Sequence, residues 1–231
     1  MLKHATNHIQ TRVAFKTNIR EMNKFYEIEF LHSKPKRGKT KFGGQPDWIT
    51  EPEWPLSKET GNPMRFICQI DLTEIGYGKN NAKFAYLFMT EENEYVDGTW
   101  EADGGENAII LQPGDNQVKT EKLEKGPTLY KMVKKLFKNK LVPQSFECEV
   151  ELTENEENID YENDELDVKN KFNGEPIFIQ GQEYPSKDKW NLLIQLDATN
   201  VPFYINFGDA GVGYGFINEM ENKAKFIWQC M

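Results

Sequence analysis

The chain has 231 residues, of which 38% are hydrophobic and 13% aromatic, a composition that can bury a sizeable core and excludes intrinsic disorder. Its 28 basic and 37 acidic residues give a net charge of −9, which argues against nucleic acid or an anionic membrane as partner and favours a basic protein. The three cysteines include no C-x-x-C pair and predict neither a disulfide framework nor a zinc site. Without a long apolar run or a secretory signal, we expect a cytoplasmic protein.

Short segments of alternating or continuous apolar residues predict strands along the first half of the chain. TRVAFK (11–16) and KFYEIEFLH (24–32) alternate apolar and polar positions, so residues 1–40 are expected to form a hairpin followed by a basic loop. Three later runs are rich in β-branched and aromatic residues and predict further strands. They are RFICQIDL (65–72), FAYLFM (84–89) and AIIL (108–111).

The segment after Gly126 changes its period. Lysines fill one face, and the apolar residues that recur on the other are Leu129, Met132, Val133, Leu136 and Phe137. This spacing predicts an amphipathic helix at about 127–141, with Pro143 ending it. The following segment, SFECEVEL, alternates strictly and predicts a strand at about 145–152.

Eleven acidic residues crowd positions 147–167, and the centre of this tract has no apolar period, which predicts an acidic loop. We take its carboxylates as a candidate protein-binding surface: Glu147, Glu149, Glu151, Glu154, Glu156, Glu157, Asp160, Glu162 and Asp164. The alternative is that they only solvate one face or neutralise the lysine-rich segment before them. A calcium loop starting at Asp160 is disfavoured, because its sixth position lacks glycine and Lys171 stands where the bidentate glutamate is needed.

One motif occurs in the first and last thirds of the chain, as KFGGQP at 41–46 and KFNGEP at 171–176. Four further matches follow in the same order, which indicates an internal duplication. They pair Trp54-Pro55 with Tyr184-Pro185, FICQID with LLIQLD, Tyr86 with Tyr214, and Gln112 with Gln229. Each copy is too short to bury a good core alone, so we predict one domain, 1–231, in which copies at 41–113 and 171–231 flank a linker at 114–170.

The same motifs carry a resemblance to a known family. KFGGQPDW, EWP and FICQIDL, followed near the C-terminus by LLIQLD, INFGDAGVGYGFI and FIWQC, resemble the YwqG-like family of bacterial proteins of unknown function over about 40–231. The resemblance implies a sheet-dominated α+β fold in a soluble bacterial protein with no assigned activity. Members of that family are also met near bacterial toxin gene clusters, which suggests an immunity-type role as a hypothesis.

Catalytic motifs find little support in the sequence. All three histidines precede the repeat and no serine has a G-x-S-x-G context, so a hydrolase triad is not expected. GDAGVGYGF (208–216) does not have the G-x-G-x-x-G spacing of a dinucleotide site, and we predict no cofactor and no metal. Because Asp71 and Asp197 are duplicated, turn and cap roles are favoured for them, and backbone bonding is favoured for Gln69 and Gln195.

Two functions remain in competition. The leading hypothesis is a non-catalytic binding protein, and specifically an immunity protein that sequesters a basic toxin through the acidic surface at 147–167. The alternative is a small-ligand or enzymatic site in a cleft between the two copies. Its candidate residues are Trp54, Asp71, Tyr184, Asp197, Asp209, Tyr214 and Trp228. Enzymatic activity and the oligomeric state are left open by the sequence.

Overall fold

A computed structural model describes residues 23–80, 82–94, 96–114, 125–135, 140–157 and 167–231. In these ranges the regular structure consists of twelve strands and one short 3-10 helix, Leu72–Ile75. The strands are β1 (Asn23–Phe30), β2 (Lys41–Gly43), β3 (Arg65–Asp71), β4 (Ala82–Met89), β5 (Asn107–Pro113), β6 (Tyr130–Lys134), β7 (Leu141–Ser145), β8 (Glu147–Glu157), β9 (Lys171–Asn173), β10 (Trp190–Asp197), β11 (Val212–Asn218) and β12 (Ala224–Gln229). The predicted α+β class is therefore wrong, and the described chain is almost entirely β.

The helix predicted at 127–141 is also wrong. The described part of this segment forms β6 and β7, which pair as a two-stranded antiparallel sheet, whereas residues 136–139 lie outside the described residues. Pro143, expected to end the helix, lies inside β7. We refer to these two strands as the β6–β7 hairpin.

Tertiary hydrogen bonds explain why the local period failed here. The backbone N–H of Phe146 donates to the carbonyl of Leu129 over 2.8 Å, so neighbouring extended chain takes a bond that a helix would make internally. In a helix Leu129 and Met132 would share one apolar face, but Leu129 is fully buried and Met132 is 46% exposed. Short helices depend on such tertiary packing, and here it favours strands.

Ten strands form one antiparallel sheet with the order β12-β11-β10-β9-β1-β8-β2-β3-β4-β5. The strands predicted at 65–72, 84–89 and 108–111 are confirmed as β3, β4 and β5. The two outer strands of the order, β5 and β12, lie against each other, so the sheet curls into a nearly closed, barrel-like form. None of the helical structure in the described ranges has the length and hydropathy of a membrane span.

The predicted duplication has a direct counterpart in the sheet. Strands β2 to β5 and strands β9 to β12 follow one another in the same order in the two halves of the sheet. Gly43 and Asn173 at the third motif position both have positive φ values, 69° and 62°. Asn is among the few side chains that tolerate this region, which explains why KFGG can become KFNG.

The duplication extends to the strand that precedes each motif. EIEF (27–30) in β1 corresponds to EVEL (149–152) in β8, since Glu27 lies opposite Lys171 of β9 and Glu149 lies opposite Lys41 of β2. The strand that precedes each motif thus pairs with the motif strand of the other copy: β1 pairs with β9, and β8 pairs with β2. The strand predicted at 24–32 is β1, which pairs with β8 and β9, and its expected partner at 11–16 lies outside the described residues.

The largest buried cluster takes side chains from both copies. Phe42 of the first copy stacks on Phe172 of the second, with ring centroids 6.5 Å apart, and both are fully buried. Each copy also has a cluster of its own. The first-copy cluster consists of Trp48, Ile49, Met64, Phe66, Phe84, Tyr86 and Phe88. The second-copy cluster consists of Leu192, Val212, Tyr214, Phe216 and Ile227, with Phe178 packed against it.

Candidate functional site

Duplicated glutamines bind the loop that follows each motif. The side-chain carbonyl of Gln69 accepts the backbone N–H of Asp47 over 2.7 Å, and that of Gln195 accepts the N–H of Ile177 over 2.8 Å. Gln112 and Gln229 do the same for backbone N–H groups further along the two loops. These glutamines are buried, so their polar groups hold the loops onto the sheet.

The two duplicated aspartates close turns at the ends of equivalent strands. A carboxylate oxygen of Asp71 accepts the backbone N–H of Thr73 over 3.0 Å, and one of Asp197 accepts that of Thr199 over 2.8 Å. Asp71 also forms a buried ion pair with Lys83, at 2.7 Å. These hydrogen bonds confirm the turn and cap roles favoured by the sequence.

The residues of the alternative cleft site are distributed over several places. Trp54 packs against the first-copy cluster, and Tyr184 and Tyr214 lie at the second-copy cluster. The partly buried Trp228 stacks on the buried ring of Phe207, and Asp209 is exposed near the C-terminus. The structure therefore does not bring these seven residues together. Trp228 does line a cavity of about 240 Å³ between the two copies.

Two carboxylates of the acidic surface are engaged by buried lysines at equivalent motif positions. Glu147 lies 3.3 Å from the ammonium of Lys41, and Glu157 lies 2.6 Å from that of Lys171. Burial lowers the pKa of Lys171, whose side chain is only 1% exposed, while its hydrogen bond and ion pair with Glu157 act in the opposite direction. Glu157 also accepts the backbone N–H of Glu175. These carboxylates hold the motif loops.

Glu154 forms a surface ion pair on the opposite face of β8. It lies 2.6 Å from Lys24, whose hydrogen bond and charge lower the pKa of Glu154, and the same contact raises the pKa of Lys24. The hydroxyl of Tyr26 donates to the same carboxylate. Glu156 is exposed and lies opposite Lys24 in the strand register. Exposed pairs of this kind contribute little to stability.

The two remaining described carboxylates of the predicted surface, Glu149 and Glu151, form a patch with Glu27 and Glu29 on the outer side of β1 and β8, which we name the carboxylate face. Glu29 and Glu151 are directly opposite each other, on the pseudo-two-fold axis that relates the copies. Both are exposed, and in the described chain neither has a hydrogen bond or ion pair. Like charges directly opposite each other destabilise a sheet.

The sequence reasoning missed Glu27 and Glu29. The similarity of EIEF to EVEL could have revealed them, but the spacing between this strand and its motif differs in the two copies. Asp160, Glu162 and Asp164 of the predicted surface lie outside the described residues. Among the described residues, no three His, Cys, Asp or Glu side chains are grouped so that they could hold a metal ion.

These features define an all-β, internally duplicated protein in which most duplicated polar residues build the fold and the carboxylate face keeps one exposed pair, Glu29 and Glu151. The model of a family described as a domain of unknown function, DUF1963, matches residues 40–230. The chain therefore belongs to the DUF1963 family, which agrees with the expectation of a family of unknown function. No curated protein has significant similarity to the chain.

Proposed function

We propose that the protein is a non-catalytic binding protein that recognises a basic protein partner through the carboxylate face. The opposed pair Glu29 and Glu151 is the observation that carries this proposal. The pair costs sheet stability and bonds nothing in the described chain, so a cationic group between the two carboxylates offsets this cost. An arginine or lysine of the partner supplies such a group.

Binding is favoured over catalysis by the way the polar residues are used. The buried glutamines and Asp71 are committed to backbone groups and to an ion pair inside the fold. The carboxylate face lies on the outer side of a sheet, where it can meet a broad surface and steer a positively charged partner. Salt-dependent association is therefore expected.

The finer proposal is an immunity-type role in a bacterial, cytoplasmic protein of the YwqG-like group. Its partner would be a toxin enzyme with a cationic active site. The carboxylate face of this chain would occupy that site in place of the substrate's phosphates. The resemblance of the motifs to that group and the acidic balance of the chain support this extension. The neighbouring gene is the first candidate for the partner.

Affinity capture from extracts of the native cell tests the proposal. Immobilised wild-type protein should retain a basic partner at low salt and lose it at high salt. The variant E29Q/E151Q should lose most of this capture, whereas E59Q/E101Q, which removes the same charge from two exposed glutamates elsewhere, should keep it. Equal capture by both double variants would exclude the carboxylate face.

The cavity between the copies keeps a ligand site as a second candidate. It is lined by Thr90 and Thr99 of the first copy and by Asn206 and Trp228 of the second, and its volume of about 240 Å³ suits only a small molecule. Fluorescence of Trp228 reports on this cavity. A metabolite that changes this fluorescence in the wild type, with no effect in W228F, would favour the ligand site over protein binding.

A further inference from the structure

We propose that a groove beside the β6–β7 hairpin binds an extended acidic peptide segment of a partner protein. The groove, which we name the hairpin groove, has a volume of about 750 Å³. The face of the hairpin that carries Tyr130, Met132 and Pro143 lines the groove, and Arg65 and Glu91, which both contact Tyr130, line it next to this face. This site lies apart from the carboxylate face and does not depend on the function proposed for it.

The acidic side chains inside the hairpin groove already accept hydrogen bonds. Glu91 lies 3.0 Å from the guanidinium of Arg65 and accepts a 2.8 Å hydrogen bond from the hydroxyl of Tyr130. Glu92 accepts hydrogen bonds from the hydroxyl of Thr60 over 3.1 Å and from the side-chain amide of Asn62 over 2.8 Å. Arg65 therefore neutralises Glu91, whereas Glu92 accepts only neutral donors and keeps its charge.

The positive charges around the groove are not matched by acids of this chain. Lys125 lines the groove and is exposed, and Lys134 is exposed on the same hairpin face as Met132. Three further lysines are exposed elsewhere on or next to the hairpin: Lys131, Lys135 and Lys140. No ion pair joins any of these five lysines to an acidic side chain within the described ranges. The hairpin and the groove together therefore carry more positive than negative charge in a chain whose net charge is −9, and the complementary ligand is anionic.

The hairpin wall also exposes apolar side chains. Met132 is 46% exposed and Leu141 is 57% exposed. Side chains alternate between the faces of a strand, and in the register of β6 and β7 Met132 and Leu141 lie on the same hairpin face as Tyr130. A ligand that covers this wall gains hydrophobic burial in addition to its charge contacts.

The second copy provides an internal reference. Glu175 and Asn191 take the positions of Gln45 and Arg65 in an equivalent groove of about 290 Å³. No hairpin of the described chain lines that smaller groove, and its motif position carries an acid instead of an amide. Lys24 lines the smaller groove but is paired with Glu154. Of the two grooves, only the hairpin groove combines lysines that lack an acidic partner among the described residues with exposed apolar side chains, so the duplicated fold does not require this combination.

An extended peptide with alternating acidic and apolar residues fits this groove. Alternate side chains of a strand point to opposite sides, so one set can lie against Met132 and Leu141 while the other set points away from this face, within reach of Lys125 and of the long side chain of Lys134. The outward-facing edge of β7 contains Pro143, which has no N–H and argues against pairing with a further strand along that edge. The peptide is therefore held chiefly by its side chains.

Fluorescence anisotropy with a short labelled peptide of alternating glutamate and leucine tests this inference. Wild-type protein should bind it in low salt, and K125E/K134E should weaken binding about five- to thirtyfold, the effect of losing two exposed charge contacts and gaining repulsion. The control K187E/K223E makes the same charge change at two exposed lysines away from the groove and should bind like the wild type. M132S/L141S should weaken binding about tenfold through lost burial.

Several outcomes would overturn the inference. Equal affinity of wild type and K125E/K134E, or equal binding of a lysine–leucine peptide, would remove the charge argument. Binding of anionic phosphatidylglycerol vesicles without peptide binding would assign the hairpin to a lipid surface, and self-association without peptide binding would assign it to a second copy. Unaltered peptide binding by E29Q/E151Q is expected, so this test and that of the carboxylate face can fail independently. Thermal unfolding of each variant confirms that it is folded.

Discussion

Neutralising one member of the opposed glutamate pair should stabilise the protein. Glu151 and Glu29 are direct cross-strand neighbours, so their Cβ atoms are about 5 Å apart and their carboxylates about 6 Å apart. Two unit charges at this separation repel by about 0.7 kcal/mol in water and by more at a protein surface. Glu151→Gln should therefore raise the free energy of unfolding by about 0.5–1 kcal/mol at low salt.

Thermal unfolding at two salt concentrations measures this effect. For a chain of this size, 1 kcal/mol corresponds to a rise in Tm of about 2–4 °C. The gain should shrink in about 1 M salt, where the screening length is about 3 Å. Glu151→Lys should stabilise further at low salt, because it places opposite charges in direct register.

A matched control lies on the same strand. Glu156 is also exposed but lies opposite Lys24, so Glu156→Gln removes an attraction and should leave stability unchanged or slightly lower. If Glu151→Gln fails to stabilise at low salt, or if it stabilises equally at high salt, the two carboxylates do not repel each other. The physical basis of the proposed function would then be lost.

Three further predictions concern a buried hydrogen bond, a backbone conformation and the thiols of the fold. Gln195→Leu leaves a buried backbone N–H and a carbonyl unpaired and should lower the free energy of unfolding by about 2–4 kcal/mol in urea titrations. Gly43→Ala, where a Cβ overlaps a backbone carbonyl, should destabilise more than Gly61→Ala, which has the same positive φ but open space and should cost about 1 kcal/mol. In thiol titrations the half-exposed Cys230 should react in the native protein, while Cys148, whose pKa burial raises to about 12, should react only after unfolding.

Local patterns in the sequence predicted much of the sheet. The runs that became β3, β4 and β5 are continuous, apolar and β-branched, which favours strands whatever their partners are. The ordered matches of KFGGQP and KFNGEP predicted the duplication, and equivalent hydrogen bonds of Gln69 and Gln195 now give those matches a structural reason. Such features survive in the sequence because each depends on residues close together in the chain.

The β6–β7 hairpin illustrates where local patterns are insufficient. Leu129, Met132 and Val133 fit a helical period. The chain here nevertheless forms two five-residue strands, because neighbouring extended chain offers hydrogen bonds to its backbone. β8 likewise continues to Glu157, five residues past its predicted end, because β1 supplies a partner for its whole length. In both cases a distant segment decided the backbone conformation.

The sequence by itself determined the β-rich composition, the two copies and the acidic balance of the chain. Only the tertiary structure decided that the strand before each motif pairs with the motif strand of the other copy, and that Glu29 meets Glu151 across the pseudo-two-fold axis. It also decided that Glu147 and Glu157 hold lysines of the motifs and do not form a free surface. Strand pairing joins residues more than a hundred positions apart, and no local period of side chains specifies which of several compatible strands becomes the neighbour.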